Sequence, residues 1–413
     1  MRALILAATL TLVASAAAAR SYDDIMAEAQ VAFEAEDYAA LSNLLDEAQQ
    51  ERPYSLFIMR NRVLARVLNE RMDEAISLVK DVADRGLVLQ TPPHEAFDRL
   101  RAEPAFAPIA AQMAENAKPV GTETTVLENG ADDLLPEAIA LTRKRETLIG
   151  SVRNGKIIAI DKSGAVREVA AAKGGVFDIE LSKKELFAAV NNQLAYENSG
   201  AEPAFAAVVA YDARTGAVLR SVRAPEGEAL FGDIELAHNG DIYVSDSVTP
   251  RIMKLAKTAD ALEPFAADAR FANLQGLALD EANRRLFVAD YLTGLYSIDL
   301  GDGAIAPLAN PTGAHLGGID GLYLYRGDLI GVQNGTSPQR IVRIALDKDA
   351  KTVDALTVVQ QALPSWNEPT HGVAVGKEFR YIATTNWPAY DDAGKLRDNA
   401  TLAPLRVMSV ELD

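Results

Sequence analysis

Six copies of one short pattern constrain this chain more than anything else in it. In Asn273-Leu-Gln-Gly-Leu-Ala-Leu-Asp280, followed by Arg285-Leu-Phe-Val-Ala-Asp290, a polar residue precedes a short apolar strand, a tight turn follows, and a second strand ends on another polar residue. The pattern recurs at Leu135–Leu141, Val176–Leu181, Phe231–Leu236, Gly318–Leu324 and Pro369–Val375. Its polar positions are Glu137, Asp178, Asp233, Gln275, Asp320 and His371, separated by 41, 55, 42, 45 and 51 residues. A blade of four antiparallel strands takes about 40–45 residues, with any excess placed in loops. The spacing therefore predicts an all-β six-bladed propeller over residues 122–413. In the fourth unit, Gly276–Asp280, Arg285–Ala289, Leu295–Asp299 and Ala304–Leu308 read as its four strands. The sixth unit runs out of chain after its third strand. Thr124-Thr-Val-Leu-Glu128, ahead of the first unit, is expected to pair there and remove an exposed edge.

Residues 20–117 carry a different period. Ile25, Ala29, Ala32 and Phe33 fall on one helical face, as do Leu41, Leu44, Leu45 and Ala48, and further helices are expected near 54–69 and 72–84 with Gly86 as a stop. Ala32-Phe-Glu-Ala-Glu-Asp-Tyr-Ala-Ala-Leu41 and Asp73-Glu-Ala-Ile-Ser-Leu78 resemble tetratricopeptide helices, which implies an all-α helical domain before the propeller. Lys118-Pro-Val-Gly121 reads as the linker. Residues 1–19, with one positive charge, a short apolar run and a small-residue end, read as a secretory signal peptide, which predicts a periplasmic or secreted protein.

A formal net charge of −17 argues against nucleic acid and anionic membrane surfaces as partners, and the apolar start is too short for a membrane span. With no cysteine, disulfides, thiolate metal sites and a cysteine nucleophile are excluded. No Gly-x-Ser-x-Gly elbow and no phosphate-cradling glycine loop is present.

Inner strands of a propeller line its channel and enter from one face, so the six polar positions converge at one mouth. Two carboxylates about 6 Å apart repel by about 3 kcal/mol at an effective dielectric near 20. Glu137, Asp178, Asp233 and Asp320 therefore call for raised pKa values or a bound cation. Oxygen donors with at most one imidazole favour calcium or magnesium, with manganese possible and zinc less favoured. Second strands end on the same face, bringing Ser151, Asn191, Asp246, Asp290, Asn334 and Asn386 there. Asp246 and Asp290 read as turn caps, and His94, His238 and His315 as surface residues. Long loops near 192–206, 359–370 and 387–403 carry Trp366 and Trp387 to the same mouth.

Pro136-Glu-Ala-Ile-Ala-Leu141, Gln275-Gly-Leu-Ala-Leu279 with Leu286-Phe-Val-Ala-Asp290, and Asp320-Gly-Leu322 resemble the regucalcin and gluconolactonase-like six-bladed propellers. The resemblance implies a divalent metal, commonly calcium or zinc, held by a first-blade Glu, an Asn before Gly-Leu and an Asp before Gly. Those positions are Glu137, Gln275 and Asp320, so Gln replaces the expected Asn and carries its carbonyl oxygen one methylene further. Asp233 takes the family's substrate-touching place on the third blade. The implied activity is metal-dependent opening of a lactone or similar ester. Asp320 or Asp233 would then take a proton from water, His371 would orient substrate or accept a proton, and Asp178, Asp233, Asn334, Trp366 and Trp387 would contact substrate. The alternative from another class is a non-catalytic binding or scaffold protein, gripping a protein partner through its helices.

Overall fold

The computed structural model describes residues 20–130, 133–193, 195–225, 227–391 and 393–413. The expected signal peptide lies outside the described residues.

Among the described residues, six α-helices precede the strands: Tyr22–Glu34, Tyr38–Glu51, Leu56–Leu68, Met72–Asp84, Glu95–Ala102 and Ala107–Asn116. Local signals set their starts. Ser21 and Asp24 form a reciprocal capping box, Asp37 Oδ1 accepts from the Ala40 amide at 2.9 Å, and Ser55 Oγ accepts from that of Ile58. Gly86, at φ +74°, follows the end of the fourth helix, a conformation that costs glycine little. Small residues let neighbouring helices approach closely, with Ala29 and Ala32 packed against Leu41, Leu45 and Ala65.

The rest forms six sheets of four antiparallel strands. Their inner strands are Pro136–Leu141, Gly175–Leu181, Phe231–Leu236, Leu274–Asp280, Leu322–Tyr325 and Gly372–Val375. The fourth blade continues through Arg285–Asp290, Gly294–Asp299 and Ile305–Pro307, within two residues of the expected bounds. Closure follows the sequence expectation: Thr125–Asn129 pairs antiparallel with Leu405–Glu411 as the outer strand of blade 6. Each blade is apolar on both faces, so one buried cluster forms at every junction between neighbours. Val176, Ile179 and Ala188 meet Ala138 and Leu148 between blades 1 and 2, and Ile382 and Val407 meet Ile139 and Ile149 where blade 6 returns to blade 1. No helix among the described residues is long and apolar enough to cross a membrane.

The helices dock on the mouth face beside blades 4 and 5. The Tyr54 amide donates to Leu292 O at 3.0 Å and that of Val88 to Ser337 O at 2.6 Å, while Gln361 Nε2 reaches the carbonyls of Asn116 and Lys118. Arg340, almost fully buried, points its guanidinium at Gln333 Oε1 and at Arg85 O.

Candidate functional site

In four blades the inner strand bulges where the polar position reaches the channel, and in the last two Asp320 and His371 stand just ahead of the strand. Strand register slips between Pro136 and Ala138, Val176 and Asp178, Phe231 and Ile234, and Leu274 and Leu277. A bulge adds one residue to one side of the ladder and turns a side chain out of the alternation. In four blades that residue, or its neighbour, is the repeated polar one.

The six side chains do not make one ring. Glu137, Gln275, Asp320 and His371 line a pocket of about 310 Å³ at the mouth, together with Phe177, Leu230, Gly232, Tyr291, Asn334, Glu368 and Trp387. Asp178 and Asp233 do not line it. They are buried behind His371, whose Nδ1 faces Asp178 Oδ1 at 3.2 Å. One oxygen of each is held by a neighbouring blade's backbone, Asp178 Oδ2 by the Ile234 amide at 3.0 Å and Asp233 Oδ2 by that of Leu277 at 2.8 Å. His371 thus belongs to two clusters, Glu137–Asp320–His371 and Asp178–Asp233–His371, each with candidate ligating atoms within 4.8 Å of one another.

The electrostatics follow from crowding in a dry channel. Burial pushes the Glu137 carboxyl well above the usual range, and the charge of Asp320 adds to it. Asp320 is raised by burial, and burial pushes Asp233 up, reinforced by the charge of Asp178 and a hydrogen bond shared with it. Burial opposes the charged form of His371, but the hydrogen bond and charge of Asp178, with Asp320 and Glu137 beyond, outweigh it and hold the imidazole up at about 9. One imidazolium therefore faces four crowded carboxyl groups.

Each mouth carboxylate is anchored through one oxygen. Trp387 Nε1 donates to Glu137 Oε2 at 2.7 Å, and Asn334 Nδ2 to Asp320 Oδ2 at 2.7 Å. Tyr291 OH donates to Asn334 Oδ1 at 2.9 Å, which fixes the amide's orientation. Gln275 Nε2 donates to Asn273 Oδ1 at 2.6 Å, leaving its carbonyl oxygen for a ligand. Two carboxylates and an amide carbonyl fit a hard divalent cation by donor chemistry, while His371, held as an imidazolium by Asp178, offers no lone pair.

Two sequence expectations need correction. Trp366, expected against substrate, donates its Nε1 to Tyr381 OH at 3.1 Å and packs in the apolar cluster between blades 5 and 6, because its loop folds inward over that junction. His315, expected at the surface, is 1 % exposed and sits edge-on to Tyr54 under the docked helices. The turn-capping expectation matches the structure: Asp246 Oδ1 accepts from the amides of Leu230, Val248 and Thr249, and Asp290 from those of Ala272, Asn273, Leu292 and Thr293.

Sequence reasoning missed Glu368, a pocket residue whose carboxyl burial and the charge of Asp320 hold at about 7. It also missed Glu180 and Glu235, further along the channel. Burial pushes both carboxyls up, Glu235 to about 8. The repeated Asp-Ile-Glu-Leu carried that signal, since residues two apart on a strand share a face. Glu368 sits at φ +58° in a loop outside the repeat and left no such trace.

No family model matches the chain, and no characterised protein matches it by sequence. Solved structures do. A PQQ-bound aldose sugar dehydrogenase from Streptomyces coelicolor is 15 % identical, with a TM-score of 0.50 over 71 % of this chain and 98 % of that one. Regucalcin from Agrobacterium tumefaciens, a calcium-binding protein, is 12 % identical, with a TM-score of 0.50 over 70 % and 95 %. At such identity the likeness is one of fold, and the chain shares with both the six-bladed β-propeller.

Proposed function

We propose that the protein is a metal-dependent hydrolase that opens a lactone or similar ester at the channel mouth. The observation that carries this is the closeness of Glu137 and Asp320, whose carboxylate oxygens lie within 4.8 Å of each other on the wall of a pocket that also presents Gln275. Glu137, Gln275 and Asp320 would hold a divalent cation, calcium first by donor type, then zinc, manganese or magnesium. Such an ion supplies Lewis acidity toward a carbonyl and lowers the pKa of bound water.

The chain's own residues supply the rest. Trp387 and Asn334 fix the two carboxylates, and Phe177, Tyr291 and Trp387 line the pocket with aromatic surface suited to a ring-shaped substrate. His371, charged and pinned by Asp178, presents its other nitrogen toward the mouth and orients a substrate oxygen. Glu368, near 7, suits proton transfer at neutral pH better than Asp233, whose oxygens are engaged behind His371. Export to the periplasm or beyond fits the first 19 residues and belongs to the same proposal.

Protein stripped of metal is expected to lose lactonase activity and to regain it with calcium, manganese or zinc, while Glu137→Ala stays inactive under every ion. If no lactone in a broad panel is turned over with any of these ions, the hydrolase reading fails. A groove among the first three helices, lined by Met26, Phe33, Leu41, Leu45, Phe57 and Leu64, favours the scaffold alternative; co-purification of a peptide seated there, with no metal retained, would carry it.

A further inference from the structure

The face opposite the mouth is made of the turns that join first to second and third to outer strands. On blades 1 and 2 these turns hold seven exposed cations: Arg143, Lys144 and Arg145, Lys162, Lys183 and Lys184, and Arg214. None of the seven side chains forms an ion pair among the described residues. Of the acidic groups beside them, Glu185 is half-buried and the other three are hydrogen-bonded or paired. Asp161 and Asp212 accept from their own turns' amides, and Glu146 pairs with Arg167. The two blades are in register here, because Arg143, Lys144, Arg167 and Lys183 line one cleft of about 230 Å³ between them. The outer strands start beside these turns, and their first residues are exposed aliphatics: Val166, Val218 and Leu219, the last two more than half exposed.

We propose that this rim is a docking surface for an anionic lipid bilayer. Unpaired cations on adjoining turns read charge density without demanding a particular headgroup geometry. Bare aliphatic side chains next to them suit the boundary between headgroups and acyl chains, whereas an acidic peptide or a nucleic acid gains little from them. The chain's net charge of −17 opposes such contact only at long range, because charges beyond about 8 Å are screened at physiological ionic strength. Docked this way, the substrate mouth faces the aqueous side.

The test is sedimentation of the full chain with vesicles of phosphatidylcholine alone and of phosphatidylcholine mixed with phosphatidylglycerol in equal parts. The expected result is at least about tenfold more protein on the mixed vesicles, lost at high salt. The triple variant Arg143→Glu, Lys144→Glu, Lys183→Glu should abolish that difference, and Val218→Ser with Leu219→Ser should reduce it several-fold. Lys348→Glu, Lys351→Glu, Lys377→Glu, equal in charge change and on the same face at blades 5 and 6, should leave it intact. These positions are solvent-exposed, and unchanged circular dichroism confirms that each variant folds. Equal binding to both vesicle types would assign the attachment to the apolar first 19 residues and overturn the proposal. So would no binding to mixed vesicles, or retention by polyglutamate without vesicle binding.

Discussion

Trp387 and Glu137 are 250 residues apart in the chain, and the indole N–H of one donates to a carboxylate oxygen of the other at 2.7 Å across the channel mouth. The bond joins the loop of the last blade to the inner strand of the first. It fixes which oxygen of Glu137 faces the pocket.

Trp387→Phe keeps a flat wall and removes the donor. Losing a partner behind a metal ligand typically costs about 10–100-fold in affinity. Calorimetric titration with calcium or manganese should show a loss of that order with little change in thermal stability. An unchanged affinity would mean that Glu137 is not a ligand.

Asn334→Ala is the companion change at the opposite wall. It frees Asp320 Oδ2 and Tyr291 OH together, so metal affinity should fall by about tenfold or more. Asn334→Asp should lower it less, because added negative charge compensates for the lost donor. Equal losses in the two variants would contradict that ordering.

The metal-free protein should lose stability as pH rises. Burial holds Glu235 at about 8 and Glu368 at about 7, above the ordinary value of 4.5, so between these limits the folded state binds protons that the unfolded chain has released. The contribution of these two groups is then full below about pH 4.5 and falls through about pH 8, at up to about 1.4 kcal/mol per pH unit for each group. His371, held at about 9 against 6.5, extends the same trend over its own window. Melting temperatures from pH 5 to 9 check this, and Glu235→Gln should flatten the slope. A rising slope would contradict the crowding of these acids.

Gly317→Ala should loosen the helices from the propeller. A Cβ at Gly317 would fall 2.3 Å from the Cβ of Tyr54 and 2.9 Å from Tyr291 O, so Tyr54 would have to leave its seat against His315. Limited proteolysis near residues 117–124 should accelerate several-fold while the propeller fragment stays resistant. An unchanged cleavage pattern would show that the docking rests on Arg340 and Gln361 instead.

Arg340→Leu removes the charged donor from a buried cluster and leaves Gln333 Oε1 without it. A loss of about 2–3 kcal/mol is expected from urea unfolding of the metal-free protein.

The architecture was legible because a polar-then-apolar strand repeats six times, and repetition is a signal that single elements lack. Closure by Thr125–Asn129 could be read from a missing strand at one end and a spare one at the other. The site was legible only in part. Position in the repeat put Glu137, Gln275, Asp320 and His371 at one mouth, but could not show that Asp178 and Asp233 lie behind His371. That depth comes from where each inner strand bulges, and a one-residue slip of register leaves little trace in composition. The inward fold of the Trp366 loop and the burial of His315 depend on tertiary docking, to which no local pattern points.

Ring closure also fixes an order of events during synthesis. Thr125–Asn129 leaves the ribosome about 280 residues before its partner Leu405–Glu411, so it must wait as an unpaired edge while five blades assemble. A chain that stops before Leu405 never acquires that partner. Its ring stays open at the segment that leads directly out of the helices, and the protein's last strand decides whether its first one has anywhere to go.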